Sequence, residues 1–346
     1  MLTAATDLER AHLSRTRSRL AIAWLIAAAV VILPFFLQDF VVFQLTLVLI
    51  YGVAIMGLVI LTGFSGQFSL GHVAFFAIGA YTAAILMDRG WSPYPVTLII
   101  GGAVSFCFGF LFGLPALRLE GIYLALATFA LSVATPQVLK LTPLIPYTGG
   151  VNGISLTKPS APFGLPISAD QWLYLFTLAV AMLMLWAAVR MMRTRTGRAL
   201  LAVRDNPIAA RSMGIDTAVY KATAFGISGM YAGVAGALSA LVVQYVSPDS
   251  FTMGVSIAFF VGMVLGGYRW LPGAFFGGLY LVFMPHVSEA FGKGSEGIAS
   301  ASLLIITIFL MPAGLFGLCT LVTSRFKKRK GGFGNAMQGE TPSPPA

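Results

Sequence analysis

Apolar stretches of about twenty residues recur along this chain, with the charges confined to the joints between them. That leaves one class of fold open. Such a stretch matches a hydrocarbon core of about 30 Å, and a helix satisfies its own backbone polar groups there. Only 10% of residues are charged against 58% hydrophobic, too little polar surface for a soluble domain of this length. The sequence reads as an all-α polytopic membrane protein of about ten transmembrane helices. They are placed at 20–37, 41–61, 70–87, 94–114, 121–141, 171–190, 222–243, 253–268, 273–291 and 297–318.

The cations orient it. With ten spans, 18 of the 22 Lys and Arg fall on one side. They lie in the arm 1–19, at Arg118, between Arg190 and Lys221, at Arg269, and in the tail from Arg325 to Lys330. Cytoplasmic loops carry the excess of Lys and Arg, which predicts both termini inside. The predicted organisation is a basic cytoplasmic arm 1–19, a transmembrane domain 20–318, and a tail 319–346 that is basic, then Gly/Pro-rich and disordered. The first span follows a basic arm but lacks a small-x-small cleavage site, so it reads as a retained anchor. A net charge of +10 placed beside the spans fits anionic membrane lipid and not nucleic acid. Cys107 and Cys319 stand alone in apolar runs and read as small buried hydrophobes. No Cys or His spacing suggests a metal site, and no cofactor is expected in this chain.

Two loops exceed what a connection needs. The loop 142–171, external in this scheme, is rich in Pro and Gly and is expected to be ordered and extended, with Gly149, Gly150 and Asn152 supplying turn chemistry. The cytoplasmic loop 191–221 is charged and helix-compatible on both sides of Asp205-Asn206-Pro207. Asp205 or Asn206 would cap, and Pro207 would open, a short helix 207–213 ended by Gly214.

The most unusual membrane segment is 63–72. Gly63, Ser65, Gly66, Gln67, Ser69, Gly71 and His72 interrupt two apolar spans without a formal charge. Non-helical backbone at membrane depth is tolerated only where protein buries it or water lines it, so a broken or re-entrant helix beside a solute path is expected here. Gly71, Gly79, Ala80, Ala83 and Ala84 continue it as a small-residue face for close helix contact. His72 lacks an acidic intramembrane neighbour in sequence, which favours a structural role. In 121–130, small and large residues alternate, and Tyr123 and Thr128, with Tyr81, are the side chains expected to line or brace a path.

Taken in order, GFSGQFSLGHVAFFAIGAYTAAIL at 63–86, LPALRLEGIYLALATFA at 114–130, TGGVNGI at 148–154 and TGRALLAVRDNPIAARSMGID at 196–216 resemble a known family. It is that of the permease subunits of branched-chain amino-acid ABC importers, the LivM type. YKATAFGISGMYAGVAGAL at 220–238 and FLMPAGLFGL at 309–318 extend the likeness over nearly all of 40–318. The resemblance implies a bacterial inner-membrane importer. Its partners would be a second homologous permease subunit, two cytosolic ATP-binding subunits that bind the ATP, and an external solute-binding protein. It makes 191–221 the surface that docks the ATPase, with Arg198, Arg204, Asp205, Ala209, Ala210 and Gly214 as coupling residues. The family's Glu-Ala-Ala-x-x-x-Gly appears as Ile208 to Gly214 with Ile208 replacing the acid, and the Leu-Pro expected further on is absent at 224–229. Residues 266–273 are also bulkier than the family's Gly-rich turn. Leu, Ile and Val are the default solutes, with urea, short amides and aromatic acids carried by close relatives.

Two other classes compete. Gly63-Phe64-Ser65-Gly66 and Gly226-Ile227-Ser228-Gly229 fit the Gly-x-Ser-Gly pattern of intramembrane serine proteases, which need a His within hydrogen-bond reach of the Ser. An ion-coupled secondary transporter would also use a Gly-broken helix, but coupling normally leaves charges inside the spans, and here Glu120 and Glu289 lie only at span ends. No phosphate-binding Gly-x-x-x-x-Gly-Lys-Ser/Thr occurs, so hydrolysis of ATP would belong to a partner.

Overall fold

The computed structural model describes residues 30–119, 121–159, 161, 166–289 and 302. The arm 1–19, most of the first span, all of the tenth span but residue 302, and the tail lie outside them. The described chain is a helical bundle: α1 (Asp39–Leu58), α2 (His72–Asp88), α3 (Tyr94–Ala116), α4 (Ile122–Leu139), α5 (Ala169–Met192), α6 (Arg195–Asp205), α7 (Pro207–Ser212), α8 (Thr217–Val243), α9 (Met253–Gly266) and α10 (Gly273–Glu289). α1 runs on through a π-helical turn, Val59–Phe64. Among the described residues six helices are long and apolar enough to cross a membrane: Asp39–Phe64, Tyr94–Ala116, Ile122–Leu139, Ala169–Met192, Thr217–Val243 and Pro248–Gly266. His72–Asp88 and Gly273–Pro285 are shorter apolar helices. Eight of the expected spans thus have a helix within a few residues of their predicted bounds.

Local chemistry explains the helix ends. Ser168 and Gln171 form a reciprocal capping box at the start of α5. The Asp216 carboxylate accepts from the Ala218 and Val219 amides at the start of α8. That start is five residues earlier than the apolar pattern alone indicated, because hydropathy reports the lipid-depth part of a helix and not its capped polar turn.

α8 is the axis of the bundle and packs on α1, α2 and α3. Gly226, Gly229, Gly233 and Gly236 recur every three or four residues, so one face of α8 has no side chains and neighbouring backbones close onto it. A Cβ on Gly236 would stand 1.9 Å from the Phe76 carbonyl oxygen, and one on Gly79 would stand 2.0 Å from that of Gly233. α2 runs parallel to α8, matching Gly79 to Gly233. α3 runs antiparallel, with Gly109 against Phe225 and Gly113 against Ala222.

At one end of the bundle, Ile154–Ser155 and Tyr245–Val246 pair as a two-stranded antiparallel sheet. Gly149 and Gly150 have positive φ, as the turn chemistry predicted; Gly153 shares it, while Asn152 does not. The loop 142–171 is ordered where described, but it is not simply extended: Ile145–Thr148 forms a helical turn flanked by two 3-10 turns. Asn152 gives its carbonyl to the Tyr245 hydroxyl at 3.1 Å. The other end carries α6, α7, Arg269 and Arg118. Cys107 is exposed on the outer face of α3, not buried as expected. α3 turns its small residues inward to meet α8, and its bulkier side chains, such as Phe108 and Leu111, point outward beside Cys107.

Candidate functional site

Between α1 and α2 the helix is interrupted. After the π-helical turn, residues 66–71 are non-helical, and α2 begins only at His72. His72 lies level with Ser228, eleven residues into α8, or about 16 Å along it at 1.5 Å per residue. The irregular segment therefore climbs beside the first three turns of α8 instead of turning tightly at the bundle end.

A non-helical backbone in an apolar bundle must find partners for its amides and carbonyls. The polar residues singled out in the sequence are those partners. Arg204 donates Nη1–H to the Gly63 carbonyl at 2.8 Å. Thr62 Oγ1 donates to the Gln67 carbonyl at 3.1 Å. Gln67 Nε2 donates to Ser65 Oγ at 2.6 Å and to the Lys221 carbonyl of α8 at 3.2 Å. The Leu70 amide donates to Thr128 Oγ1 of α4 at 2.9 Å, and the Leu70 carbonyl accepts from Ser256 Oγ of α9. Ser69 Oγ accepts from the Gly71 amide at 3.3 Å. Five elements thus meet on one short stretch of chain: α1, α4, α6, α8 and α9.

Three glycines are required there for space. A Cβ on Gly71 would stand 2.5 Å from the Thr128 carbonyl oxygen; one on Gly66, at φ +74°, would stand 2.8 Å from Arg204 Cγ. Gly63 lies under the Tyr268 carbonyl in the same way, at 1.7 Å from its built Cβ. Beside the segment is a cleft of about 170 Å³, lined by Ser65, Gly66, Gln67, Phe68, Leu119, Gly121, Leu124, Val203, Arg204, Pro207 and Lys221.

The structure therefore joins two groups of residues that the sequence kept apart. Gly63 to His72 and Thr128 meet Arg204 of the 191–221 loop. Asp205 stays with them by binding Arg204, whose Nε and Nη2 donate to its Oδ1 at 2.9 and 2.6 Å. Ala209, Ala210 and Gly214 lie on or just after α7, further out. Asn206 is the cap of α7, accepting from the Ile208 and Ala209 amides at 3.1 and 3.0 Å, while Asp205 closes α6. Gly214 ends the turn at φ +79°. Ala210 is buried, and Ile208 and Met213 are 79% and 83% exposed. Asn206→Ala is expected to lower stability by about 1 kcal/mol, read as a lower melting temperature of the purified protein. Among the described residues the Arg198 side chain bonds the Arg193 carbonyl at 3.1 Å on the surface.

Not every candidate is gathered in. Tyr123 is 70% exposed on α4. Tyr81 is buried toward the sheet end, against Phe251. Gly149, Gly150 and Asn152 lie at that same far end.

His72 is fully buried. Its Nε2 lies 2.8 Å from the Ala54 carbonyl, which can only accept, so Nε2 carries the proton and Nδ1 is left to accept from Ser228 Oγ at 3.4 Å. One imidazole thus ties α1, α2 and α8. This is the Ser–His pairing a serine protease needs, but Ser228 and His72 are both 0% exposed. The Gly57 Cα faces them so closely that an added Cβ would stand 2.7 Å from the Ser228 carbonyl oxygen. No peptide reaches such a hydroxyl. Ser228→Ala should cost about 1 kcal/mol of stability and leave solute uptake intact; lost uptake at an unchanged melting temperature would give the hydroxyl a chemical role.

Comparison with known proteins decides the class. A family model described as "Branched-chain amino acid transport system / permease component" matches residues 40–331. The chain belongs to that family. It is a multi-pass membrane protein and a permease subunit of an ABC-type importer, as its sequence resemblance implied. The LivM permease protein of the high-affinity branched-chain amino acid transport system of Escherichia coli (strain K12) is 33% identical over 319 residues, 86% of this chain and 72% of that protein. The LivH permease protein of the same system is 26% identical over 284 residues, 77% of this chain and 91% of that protein. The autoinducer 2 import system permease protein LsrC of Salmonella paratyphi B is 30% identical over 203 residues, 56% of this chain and 54% of that protein. No solved structure matches the chain.

The recurrent glycines of α8 were missed as a site-forming feature in the sequence, although their spacing of three or four was visible. Ser256 was missed altogether. Nothing in its neighbourhood marks it, because its partner is a backbone carbonyl 186 residues away.

Proposed function

We propose that this permease moves branched-chain amino acids, or a similar small solute, with segment 63–72 bracing the inner part of the path. In this reading the chain has ten spans, both termini and the 191–221 loop are cytoplasmic, and 63–72 is a broken helix reaching about half-way into the bilayer. The partners are a second permease subunit, two ATP-binding subunits that hold the ATP, and an external binding protein that delivers the solute to the sheet end. Ala209, Ala210 and Gly214 belong to the docking helix α7. The observation that carries the reading is the Arg204–Gly63 hydrogen bond, because it attaches the loop that would meet the ATPase directly to the broken helix. Among the described residues Arg89, Lys140 and Lys158 lie toward the sheet end, and the other cations cluster at the α6–α7 end, which supports the orientation.

Two experiments test it. In a chain lacking Cys107 and Cys319, a cysteine at Ser212 should react with a membrane-impermeant thiol reagent in inverted vesicles and not in intact cells; the reverse would invert the topology. Uptake of labelled leucine by cells expressing the complete importer should be competed by isoleucine and valine. Competition by urea or an aromatic acid alone would reassign the solute.

A further inference from the structure

We propose that α4 is the moving element of this permease, and that the Lys140–Asp249 ion pair is the outer latch holding it in its resting position. The inference rests on the importer reading above and deepens it, since it names how a displacement of α6 and α7 reaches the opposite face.

α4 is held to the bundle along one narrow stripe. Its buried residues are Leu124, Thr128, Ser132 and Pro136, four apart; only the first is a large hydrophobe, and Leu131 and Leu139 pack on the core partly buried. Thr128 and Ser132 also satisfy carbonyls of their own helix, at 3.0 and 2.7 Å, so little apolar burial pins this helix in place. By contrast α8 is buried nearly throughout. Gly121, just before it, has φ +56° with nothing among the described residues within 4 Å of an added Cβ, a conformation glycine adopts without strain, and it is the joint of this proposal.

Specific ties fix α4 near each end, and at the outer end the Thr148 hydroxyl also donates to the Leu139 carbonyl at 2.9 Å. Near the inner end Thr128 Oγ1 accepts from the Leu70 amide. Because Leu70 lies in the segment bonded at Gly63 by Arg204, a shift of α6 pulls on α4 through that segment. At the other end the Lys140 ammonium, just past the last turn, binds Asp249 at 2.6 Å. Asp249 sits on the 3-10 turn Pro248–Ser250, between the β-strand Tyr245–Val246 and α9. Twelve residues separate Thr128 from Lys140, about 18 Å of helix, so a rotation at the inner tie becomes a displacement at the latch. The turn it releases leads into Phe251, which covers Tyr81. The Tyr81 hydroxyl is buried without a hydrogen-bond partner among the described residues. A buried unpaired hydroxyl is unfavourable, and opening the cover to water would satisfy it. In this proposal the latch biases the turn between the closed position and an open one.

The test uses the assembled importer, with its ATP-binding subunits and binding protein, in liposomes, on a chain lacking Cys107 and Cys319. Cysteines at Lys140 and Asp249 are joined by a bifunctional thiol reagent that spans the length of a Lys–Asp pair and is cleaved by reductant. Joining them should abolish solute uptake, cleavage should restore it, and ATP hydrolysis should continue throughout. Separately, Asp249→Asn should raise ATP hydrolysis in the absence of solute by about two- to fivefold, the population shift an exposed ion pair can hold. The exchanged pair Lys140→Asp with Asp249→Lys should bring it back. Normal uptake through the cross-linked chain would overturn the latch while leaving the importer reading intact. An assembly with no ATP hydrolysis even before cross-linking would overturn the importer reading, and the latch with it.

Discussion

Replacing Gly236 by leucine is expected to leave almost no folded permease. At this position a Cβ would stand 1.9 Å from the Phe76 carbonyl oxygen and 2.9 Å from the Ala80 amide nitrogen. Both are backbone atoms of α2, so no side chain can rotate away. Overpacking costs about 1–3 kcal/mol where neighbours can yield. Here α2 and α8 must separate along their whole contact, losing Gly79 against Gly233 and the His72 bridge together, against a total stability of only about 5–15 kcal/mol. Fluorescence-detected size exclusion in mild detergent should show the monodisperse peak lost. Gly254→Ala is the control, because an added Cβ there meets only Thr252 Oγ1 at 3.5 Å; it should behave as the parent chain. A Gly236→Leu protein that is monodisperse at the parent level would mean that the α2–α8 crossing is not as close as described.

Arg204→Ala is expected to separate ATP hydrolysis from transport. The Arg204 side chain is only 17% exposed and spans two elements: Nη1 on the Gly63 carbonyl, and Nε with Nη2 on Asp205. Its loss leaves the Gly63 carbonyl without that donor, at a cost of about 1–3 kcal/mol if it stays buried, and detaches α6 from the broken helix. Solute moved per ATP hydrolysed should fall about tenfold or more, since 1.4 kcal/mol corresponds to a factor of 10, while the protein still inserts and assembles. Arg204→Lys should recover only part of the ratio, because one ammonium cannot reproduce the planar fork that serves both partners. An unchanged ratio in Arg204→Ala would remove this residue from the coupling route.

Much of this architecture was legible from residue order alone. Helices are local and lipid imposes a length on them, so the spans at 41–61, 94–114, 121–141 and 171–190 lie close to the observed helices. Asn206, Pro207 and Gly214 announced α7 because capping chemistry acts over two or three residues. The break at 63–72 was equally plain, since three glycines and four polar side chains in an apolar run have few other uses.

What the break does was less legible. Ser65, Gln67, Ser69 and Thr128 read as residues that line or brace a path. In the folded chain each of them bonds within the broken segment, to its backbone or to a neighbouring side chain, and the groups completing the set, Arg204 and Ser256, come from 141 and 186 residues away. Hydrogen-bond partners that distant in sequence leave no periodic trace. The same is true of His72 and Ser228: the one stood in the 63–72 break and the other in a Gly-x-Ser-Gly run 156 residues away, and only the parallel packing of α2 on α8 shows them as one tie.

The most direct test of the central claim is ATP-dependent uptake by liposomes containing the complex purified through this chain in mild detergent. The account predicts that ATP-binding subunits co-purify, and that solute accumulates only when ATP is on the α6–α7 side and the binding protein on the sheet side. Accumulation driven by an ion gradient, by this chain without ATP or any ATPase, would contradict it and return the protein to the class of secondary carriers.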